Sequence, residues 1–247
     1  MRSVYVYCLG TGDAFSAGGR NHAAYLIRHA SGTLLLDCGP SILAALKQQK
    51  LSAGLIDVIL LSHFHGDHFA GLPFLFLEYI YIEPRRKSLK IAGPSGVQRR
   101  VVQIFQAMYP DSAAEPLPYD LEFIEIEARQ KLSLNGIEID AFPVPHQKSQ
   151  LSLGYEILLQ GKKIVYTGDS GWTEDLVARA QGAHLLLCEC SFFESRYDTH
   201  LDYPRIAENA RRLGAKKILL THLGDEVLRR SQDVELEMAS DGLVISI

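Results

Sequence analysis

The chain has 247 residues, of which 47% are hydrophobic and 22% are charged, a composition typical of globular proteins. A chain of this length buries a sizeable core without disulfides or structural metals, so a metal-ligating cluster is expected to serve function. The formal charge of −4 and the pI near 6.1 argue against a strongly basic nucleic-acid-binding surface.

Strands and helices are predicted in chain order from the spacing of apolar residues and from turn signals. In the first half, strands are expected at 3–10, 23–30, 32–39, 56–62, 89–94, 119–128 and 136–146, and helices at 41–50, 69–82 and 97–110. In the second half, strands are expected at 151–160, 162–170, 183–190, 216–224 and 242–247, and helices at 173–181, 203–214 and 225–237. Thr173 is predicted to cap one helix and Gly214 to end another.

Each half of the chain begins with strands and continues with alternating helices and strands. Two mixed sheets packed face to face, with helices outside, accommodate this order. The expected fold class is therefore α/β, organised as one domain over residues 1–247. In such a layered domain, polar side chains at strand ends line one rim.

The remaining composition signals concern compartment and cysteine chemistry. Four cysteines lie in strand-like runs without any Cys-x-x-Cys pair, so reduced, buried side chains are expected rather than a zinc ribbon; they are Cys8, Cys38, Cys188 and Cys190. The first residues lack the features of a cleavable signal, and no run reaches the roughly 18 apolar residues of a membrane span. A cytoplasmic protein without membrane contacts is expected.

Several apolar strands end abruptly in side chains that bind metals. These positions are Asp37, the segment His63–His68, His146, Asp169, Glu189 and His222. Ionisable groups at buried strand ends are costly unless something compensates their charge. Their recurrence therefore predicts one shared site with cations as the compensation.

The segment "HFHGDH" supplies four candidate ligands, His63, His65, Asp67 and His68. The first two lie on one side of extended backbone and can reach one metal, while the last two lie beyond a glycine and face a second metal. His146 is expected to complete the first group and His222 the second. Asp169 is expected to bridge them. Imidazole and carboxylate ligands favour two Zn²⁺ ions, with Mn²⁺ or Fe as alternatives.

These ligands, in this order, resemble the metallo-β-lactamase superfamily over nearly the whole chain. The resemblance implies an αββα sandwich with the dinuclear site at one edge. Histidine at position 65, where the diiron flavoprotein branch usually has glutamate, disfavours that redox branch. The superfamily resemblance also implies that Asp37 orients a metal ligand and does not bind metal itself.

Within the superfamily, the chain is most similar to ribonuclease Z-like phosphodiesterases. The matching segments are "LGTGDAF", "LLLDCGPS", "YTGDS" and "LLLCECSFFES…DTHLDY", the last containing Glu189 and His200. True tRNA 3′-processing enzymes of the common type carry a long arm between the positions that match His146 and Asp169. In this chain, only residues 147–168 lie between those two positions. The phosphonate-pathway phosphodiesterase that opens cyclic ribosyl phosphates also lacks the arm, although its structural zinc cysteines are missing here.

The leading hypothesis is a dinuclear-metal hydrolase that cleaves a small or cyclic phosphodiester through a metal-bridging hydroxide. Asp67 is expected to orient or deprotonate the nucleophile, and His200, steered by Glu189, to protonate the leaving group. The alternatives are a lactone, ester or thioester hydrolase, a tRNA 3′-processing endonuclease, and a non-catalytic metal-dependent sensor. The expected partner is a small phosphodiester substrate, and nucleic acid is disfavoured. Assembly into a homodimer is compatible with the sequence.

Overall fold

The computed structural model describes residues 3–30 and 32–247, and its strands follow the predicted order closely. The strands are Tyr5–Gly10 (β1), Ala24–His29 (β2), Gly32–Leu36 (β3), Val58–Leu60 (β4), Leu89–Pro94 (β5), Leu121–Ile126 (β6), Lys131–Leu134 (β7), Ile137–Pro143 (β8), Leu153–Leu159 (β9), Lys162–Tyr166 (β10), Leu185–Glu189 (β11), Ile218–Thr221 (β12), Glu237–Met238 (β13) and Val244–Ser246 (β14).

The helices lie between the later strands of each half. The α-helices are Ile42–Gln48 (α1), Gly66–Phe69 (α2), Leu72–Leu77 (α3), Val97–Met108 (α4), Pro110–Ala114 (α5), Glu174–Ala180 (α6), Tyr203–Leu213 (α7) and Asp225–Arg229 (α8). A π-helical turn at Glu78–Ile82 extends α3. Thr173 caps α6 by accepting from the Asp175 backbone N–H, and Gly214 ends α7 in the left-handed conformation, as predicted.

The strands described above form two mixed sheets with the same internal arrangement. Sheet one has the order β14-β1-β2-β3-β4-β5-β6, and sheet two has the order β13-β12-β11-β10-β9-β8-β7. In each sheet, pairing is antiparallel on one side and parallel on the other; β3 to β6 are parallel in sheet one, and β10 to β13 in sheet two. The carboxyl ends of parallel strands meet at one sheet edge, where the predicted ligands follow.

Apolar side chains fill three layers between these elements. One cluster lies between the sheets and includes Val6, Leu36, Tyr155 and Leu187. A second packs α1, α3 and α4 on the outer face of sheet one. A third packs α6, α7 and α8 on the outer face of sheet two. This arrangement of helix, sheet, sheet and helix confirms the predicted αββα sandwich.

Three parts of the predicted element map are wrong. The helix expected at 97–110 ends at Met108, and a separate helix, α5, begins at Pro110. The helix expected at 225–237 ends at Arg229, and Glu237 and Met238 pair instead with Leu219 and Leu220 of β12 as an edge strand. The prediction also missed β7, which pairs with β8 through a tight turn at Asn135–Gly136. Both turn residues have positive φ angles of 51° and 77°, as type I′ hairpin turns require.

Three consecutive basic residues, Arg85, Arg86 and Lys87, predict a solvated segment, and this prediction is wrong for Arg85. Its side chain is buried, with the residue only 4% exposed. The guanidinium donates to the backbone carbonyls of Ile56, Lys87 and Ser88 and lies 4.9 Å from the centre of the Tyr79 ring. Carbonyl acceptors and an aromatic face compensate its burial, which a sequence pattern cannot reveal.

No helix within residues 3–30 and 32–247 combines the length and apolar character needed to cross a bilayer.

Candidate metal centre and active site

The predicted ligands lie on loops that follow strands of both sheets. His63, His65, Asp67 and His68 follow β4 of sheet one, with the last two in the short helix α2. The ligands from sheet two follow β8, β10 and β12; they are His146, Asp169 and His222. The cluster therefore exists only where the carboxyl ends of the two sheets meet.

A first group of ring nitrogens surrounds one oxygen of Asp169. Its Oδ2 lies 3.8 Å from His63 Nε2 and 3.7 Å from His146 Nε2. The ring of His65 completes the group, with its Nδ1 3.0 Å from His146 Nε2. His146 Nδ1 donates to the Thr199 carbonyl at 3.1 Å. In a neutral ring, this leaves His146 Nε2 as an acceptor that faces its neighbours.

A second group surrounds the other oxygen of Asp169. Its Oδ1 lies 3.1 Å from His68 Nε2 and 3.3 Å from His222 Nε2. Asp67 Oδ2 faces the same two nitrogens at 3.2 and 3.3 Å. The Asp169 carboxylate thus gives one oxygen to each group, which is the arrangement expected of a carboxylate shared by two cations.

The donor chemistry of both groups fits metal ions. One buried atom at the centre, His63 Nε2, has no hydrogen-bond partner among the described residues. Buried polar atoms are normally paired. Atoms from four side chains in each group lie within 4.8 Å of one another. Three imidazoles with a carboxylate, and two imidazoles with two carboxylates, are ligand sets suited to Zn²⁺.

A buried network, termed here the Asp37 relay, supports the histidines of sheet one. Asp37 Oδ2 accepts from His68 Nδ1 at 2.7 Å, from the Ser62 hydroxyl at 2.7 Å and from the Tyr166 hydroxyl at 2.5 Å. Its Oδ1 accepts from the Ser62 backbone N–H at 2.7 Å. Ser62 Oγ also lies 3.0 Å from His63 Nδ1. Asp37 therefore orients ligands without facing the cluster itself.

A similar network, termed here the Glu189 relay, supports the histidines of sheet two. Glu189 Oε1 accepts from His200 Nδ1 at 3.0 Å and from the Ser170 backbone N–H at 2.6 Å. Glu189 Oε2 accepts from the Ser191 hydroxyl at 2.8 Å. Ser191 Oγ in turn lies 3.0 Å from His222 Nδ1. The predicted pair of Glu189 and His200 is thus formed and is linked to a histidine of the cluster.

The charges of the cluster shift its proton affinities. Burial lowers the pKa of His222, but the Asp169 charge and the hydrogen bond with Asp67 outweigh it and raise the pKa to about 9. Burial also lowers the pKa of His200, and the hydrogen bond with Glu189 reverses that effect, so its pKa is raised. In contrast, burial and the neighbouring His68 charge hold the pKa of His63 well below its ordinary value.

The cluster opens into a pocket of about 190 Å³ with an aromatic rim. Phe15 stands at its mouth with 89% of its surface exposed, and Phe192 lines it beside His200. Asp13 fixes the Phe15 loop, since its Oδ1 accepts from the backbone N–H groups of Phe15 and Ala17 at 3.1 and 3.0 Å. Sequence reasoning missed these rim residues because one phenylalanine in a polar loop carries no pattern.

Glu226 anchors the loop that carries His200. Its Oε2 accepts from the backbone N–H groups of Phe193, Glu194 and Ser195 at 3.0, 2.8 and 2.9 Å. Its Oε1 accepts from the Ser195 hydroxyl at 2.5 Å. Three successive N–H groups pointing at one anion form a backbone nest. Because Glu226 lies on α8, directly after His222, it ties the two loops of the Glu189 relay together.

The structure brings together every residue predicted for the site. The seven candidate ligands form the two groups, and Glu189 and His200 stand at their edge. The two relay serines, Ser62 and Ser191, were not predicted. The available signal was their position directly beside ligand-type residues, in "LSHFH" and "CECS", but serine is too common at such places to be distinctive.

Two helix-flanked sheets with this cluster at their shared edge define the metallo-β-lactamase fold, and the ribonuclease Z relatives of this chain make it a hydrolase. The chain belongs to the family described as Anti-Pycsar protein Apyc1, whose model matches residues 4–243. It is 27% identical to a ribonuclease Z of Lachnospira eligens, over 93% of this chain and 90% of that protein.

Solved structures agree with this assignment. The metallo-β-lactamase fold protein YhfI of Bacillus subtilis superposes with a TM-score of 0.80 at 23% identity, covering 100% of both chains. The short form of human tRNase Z superposes with a TM-score of 0.78 at 26% identity, covering 98% of this chain and 99% of that one. The expected superfamily, the ribonuclease Z-like resemblance and the hydrolase class are confirmed.

One difference from these relatives concerns length. The match to the Lachnospira eligens ribonuclease Z runs over 284 positions, more than the 247 residues of this chain. That relative therefore contains segments without a counterpart here. Between His146 and Asp169, this chain has only the β9–β10 hairpin, as predicted from its sequence.

Proposed function

We propose that this hydrolase cleaves a small or cyclic phosphodiester. The observation that carries the proposal is the pair of Glu189 and His200 beside the metal-ligand cluster. Glu189 binds His200 Nδ1 and leaves Nε2 on the side of the pocket. A protonated imidazole there suits a reaction that expels an alkoxide, which needs a proton as the phosphorus–oxygen bond breaks.

In this proposal the two groups of ligands hold two cations. His63, His65 and His146 hold one, Asp67, His68 and His222 hold the other, and the Asp169 carboxylate is shared between them. When bound, the two ions supply a water that ionises near neutral pH and positive charge for the phosphoryl oxygens. Zn²⁺ suits the ligands best, and Mn²⁺ or Fe fit the same donor types.

The remaining chemistry belongs to Asp67 and His200. Burial raises the pKa of Asp67, but the charge of His68 and the hydrogen bond with His222 outweigh it and hold the pKa well below its ordinary value. Asp67 is therefore ionised, and as a hydrogen-bond acceptor it can orient the attacking water; so low a pKa makes it a weak base. As the new phosphorus–oxygen bond forms and the old one breaks, His200 gives its proton to the leaving oxygen.

Three features support a small substrate. The pocket holds only about 190 Å³, the His146–Asp169 segment is a short hairpin, and the chain is acidic overall. A long tRNA-clamping arm in that segment is thus replaced by a tight turn. The aromatic rim formed by Phe15 and Phe192 offers a flat apolar surface to the part of the substrate that lies outside the metal ligands.

The test is metal analysis followed by a substrate panel. Purified protein, loaded with two equivalents of Zn²⁺ and separately of Mn²⁺, is assayed on cyclic nucleotides, cyclic ribosyl phosphates, tRNA precursors and lactones. The proposal expects the highest kcat/KM on one of the two cyclic phosphodiester classes. A higher value on tRNA precursors would assign the endonuclease function of the ribonuclease Z relatives, and a higher value on lactones would assign ester hydrolysis.

The role of His200 is tested by His200→Ala. The control is His184→Ala, because His184 precedes β11 at the end of that strand away from the cluster. Loss of the proton donor should lower kcat on the best cyclic phosphodiester of the panel, which expels an alkoxide, by about 100-fold or more. The metal content should remain that of the wild-type protein, because His200 is not among the proposed ligands. Unchanged turnover in His200→Ala would remove the proton-donor role.

A further inference from the structure

We propose that Ser191 is a positioning residue that fixes the ring of His222 and couples it to His200 through Glu189. The inference rests on the proposed function in one respect, namely that His222 holds a cation. It assigns a role to the Ser191 hydroxyl, since Ser191 lines the pocket but takes no part in the proposed chemistry. The evidence is the direction of each hydrogen bond in the Glu189 relay.

Donor counting fixes the direction of the relay. The Glu189 carboxylate can only accept, and its Oε2 receives the Ser191 hydroxyl at 2.8 Å. Ser191 has one hydroxyl proton, and the charged Glu189 at 2.8 Å takes it in preference to the His222 backbone carbonyl at 3.4 Å. The serine oxygen must therefore accept from His222 Nδ1, which lies 3.0 Å away.

This direction determines which nitrogen of His222 is free to bind. With its proton held on Nδ1, a neutral imidazole carries its lone pair on Nε2. His222 Nε2 is the atom that faces Asp169 Oδ1 and Asp67 Oδ2, each at 3.3 Å. Ser191 thus presents the correct nitrogen to the second group of ligands, the function usually carried out by partners of metal-bound histidines.

The Asp37 relay provides an internal precedent. There Ser62 donates to a carboxylate and lies 3.0 Å from the Nδ1 atom of His63, which is the same pair of contacts. In that relay the carboxylate also binds His68, so both of its histidines belong to the cluster. In the Glu189 relay, the second histidine is His200. The carboxylate is therefore shared between a cation ligand and the proton donor.

The backbone holds Ser191 in place for this role. Ser191 is only 5% exposed, and its carbonyl packs so closely against Gly224 that a side chain at position 224 would clash with it. The loop of Ser191 and the turn after His222 are therefore in direct backbone contact.

The test compares Ser191→Ala with Ser191→Thr, which keeps the hydroxyl. Metal-free protein is titrated with Zn²⁺ against a chelator of known affinity, so that two binding equivalents are measured. Removing such a partner weakens binding by about 10- to 100-fold, and we expect this loss for one equivalent in Ser191→Ala only. At saturating Zn²⁺, kcat on the best cyclic phosphodiester of the panel should also fall while KM changes little, because Glu189, the partner of His200, loses the Ser191 hydroxyl that holds it.

Ser152→Ala is the matched control, since Ser152 is a buried serine whose hydroxyl has no partner. Wild-type affinity for both equivalents together with wild-type kcat in Ser191→Ala would overturn the inference. If Ser191→Ala does not fold, the Ser191→Thr variant tests the inference. A folded threonine variant with weakened Zn²⁺ binding contradicts the inference, and one with wild-type Zn²⁺ binding supports it. A wild-type protein that binds two Zn²⁺ but cleaves no phosphodiester would refute the proposed function alone.

Discussion

The two relays perform the same task in surroundings that differ sharply. The Asp37 relay is closed, since its carboxylate is fully buried and contacts Ser62, His68 and Tyr166. The Glu189 relay has a buried carboxylate but ends at His200, whose side chain is 23% exposed at the pocket. One half of the sandwich thus uses its carboxylate only to build the cluster. In the function proposed above, the other half uses the equivalent carboxylate to connect the cluster with His200, the proton donor.

The largest expected effect on metal binding and turnover comes from removing Asp169, whose carboxylate contacts both groups of ligands. Asp169→Ala should abolish binding of both cations at stoichiometric Zn²⁺ and lower kcat/KM by about 10³-fold or more, because metal charge stabilisation is worth several kcal/mol. Metal content by elemental analysis and steady-state kinetics measure this. Asp175→Ala, which removes a partly buried carboxylate of α6 that pairs with Arg179 outside the cluster, is the control. Retention of two tightly bound ions in Asp169→Ala would refute the shared role.

The next prediction compares the two relays directly by replacing the carboxylates of Asp37 and Glu189 with neutral amides. Asp37→Asn should destabilise the fold by roughly 3 kcal/mol, because it leaves buried donors without an acceptor, and should weaken Zn²⁺ binding. Glu189→Gln should mainly lower kcat, by about 100-fold, with a smaller loss of Zn²⁺ affinity. Urea unfolding, chelator competition and kinetics on both variants measure the contrast. Equal losses in all three measurements would mean that the relays do not differ in function.

These contrasts also show how far sequence reasoning reaches. The cluster was predictable because histidine and aspartate are rare at the ends of buried strands, so their recurrence at His63, His146 and Asp169 carried information. Ser62 and Ser191 were not predictable, since a serine at a strand end is common and its partner lies far away in the chain. The buried Arg85 was missed for the same reason, because its acceptors are backbone carbonyls. Long-range partners of ordinary residues require the structure.

The smallest expected effect concerns Glu226, which holds the His200 loop of the Glu189 relay through three backbone N–H groups. Partial burial raises the pKa of Glu226, but the bonds from Ser195 and from three backbone N–H groups lower it from 4.5 to about 2. A lowered folded-state pKa stabilises the protein above pH 4.5, and this contribution is lost as the pH falls through about 2. Glu226→Gln should therefore cost roughly 1 kcal/mol at neutral pH, after allowance for solvent screening.

The measurement is urea unfolding of wild type and Glu226→Gln at pH 7 and near pH 2.5, with Asp225→Asn on the same helix as the control. The difference between wild type and Glu226→Gln should shrink at the acidic pH. A difference that stays constant across this range would show that the Glu226 charge is not what holds the His200 loop. We also expect a lower kcat in Glu226→Gln, with an unchanged metal content.

The sharing of Asp169 between the two sheets has a consequence for how the molecule folds. Its carboxylate, from sheet two, faces His63 and His68 of sheet one, and the paired rings of His68 and His222 are separated by 154 positions in the chain. Contacts between such distant segments form slowly, since the intervening chain must first be ordered. The metal-binding geometry should accordingly be absent from early folding intermediates and appear only when the sheets dock. The rate at which refolding protein gains Zn²⁺ affinity would then report the docking of its two halves.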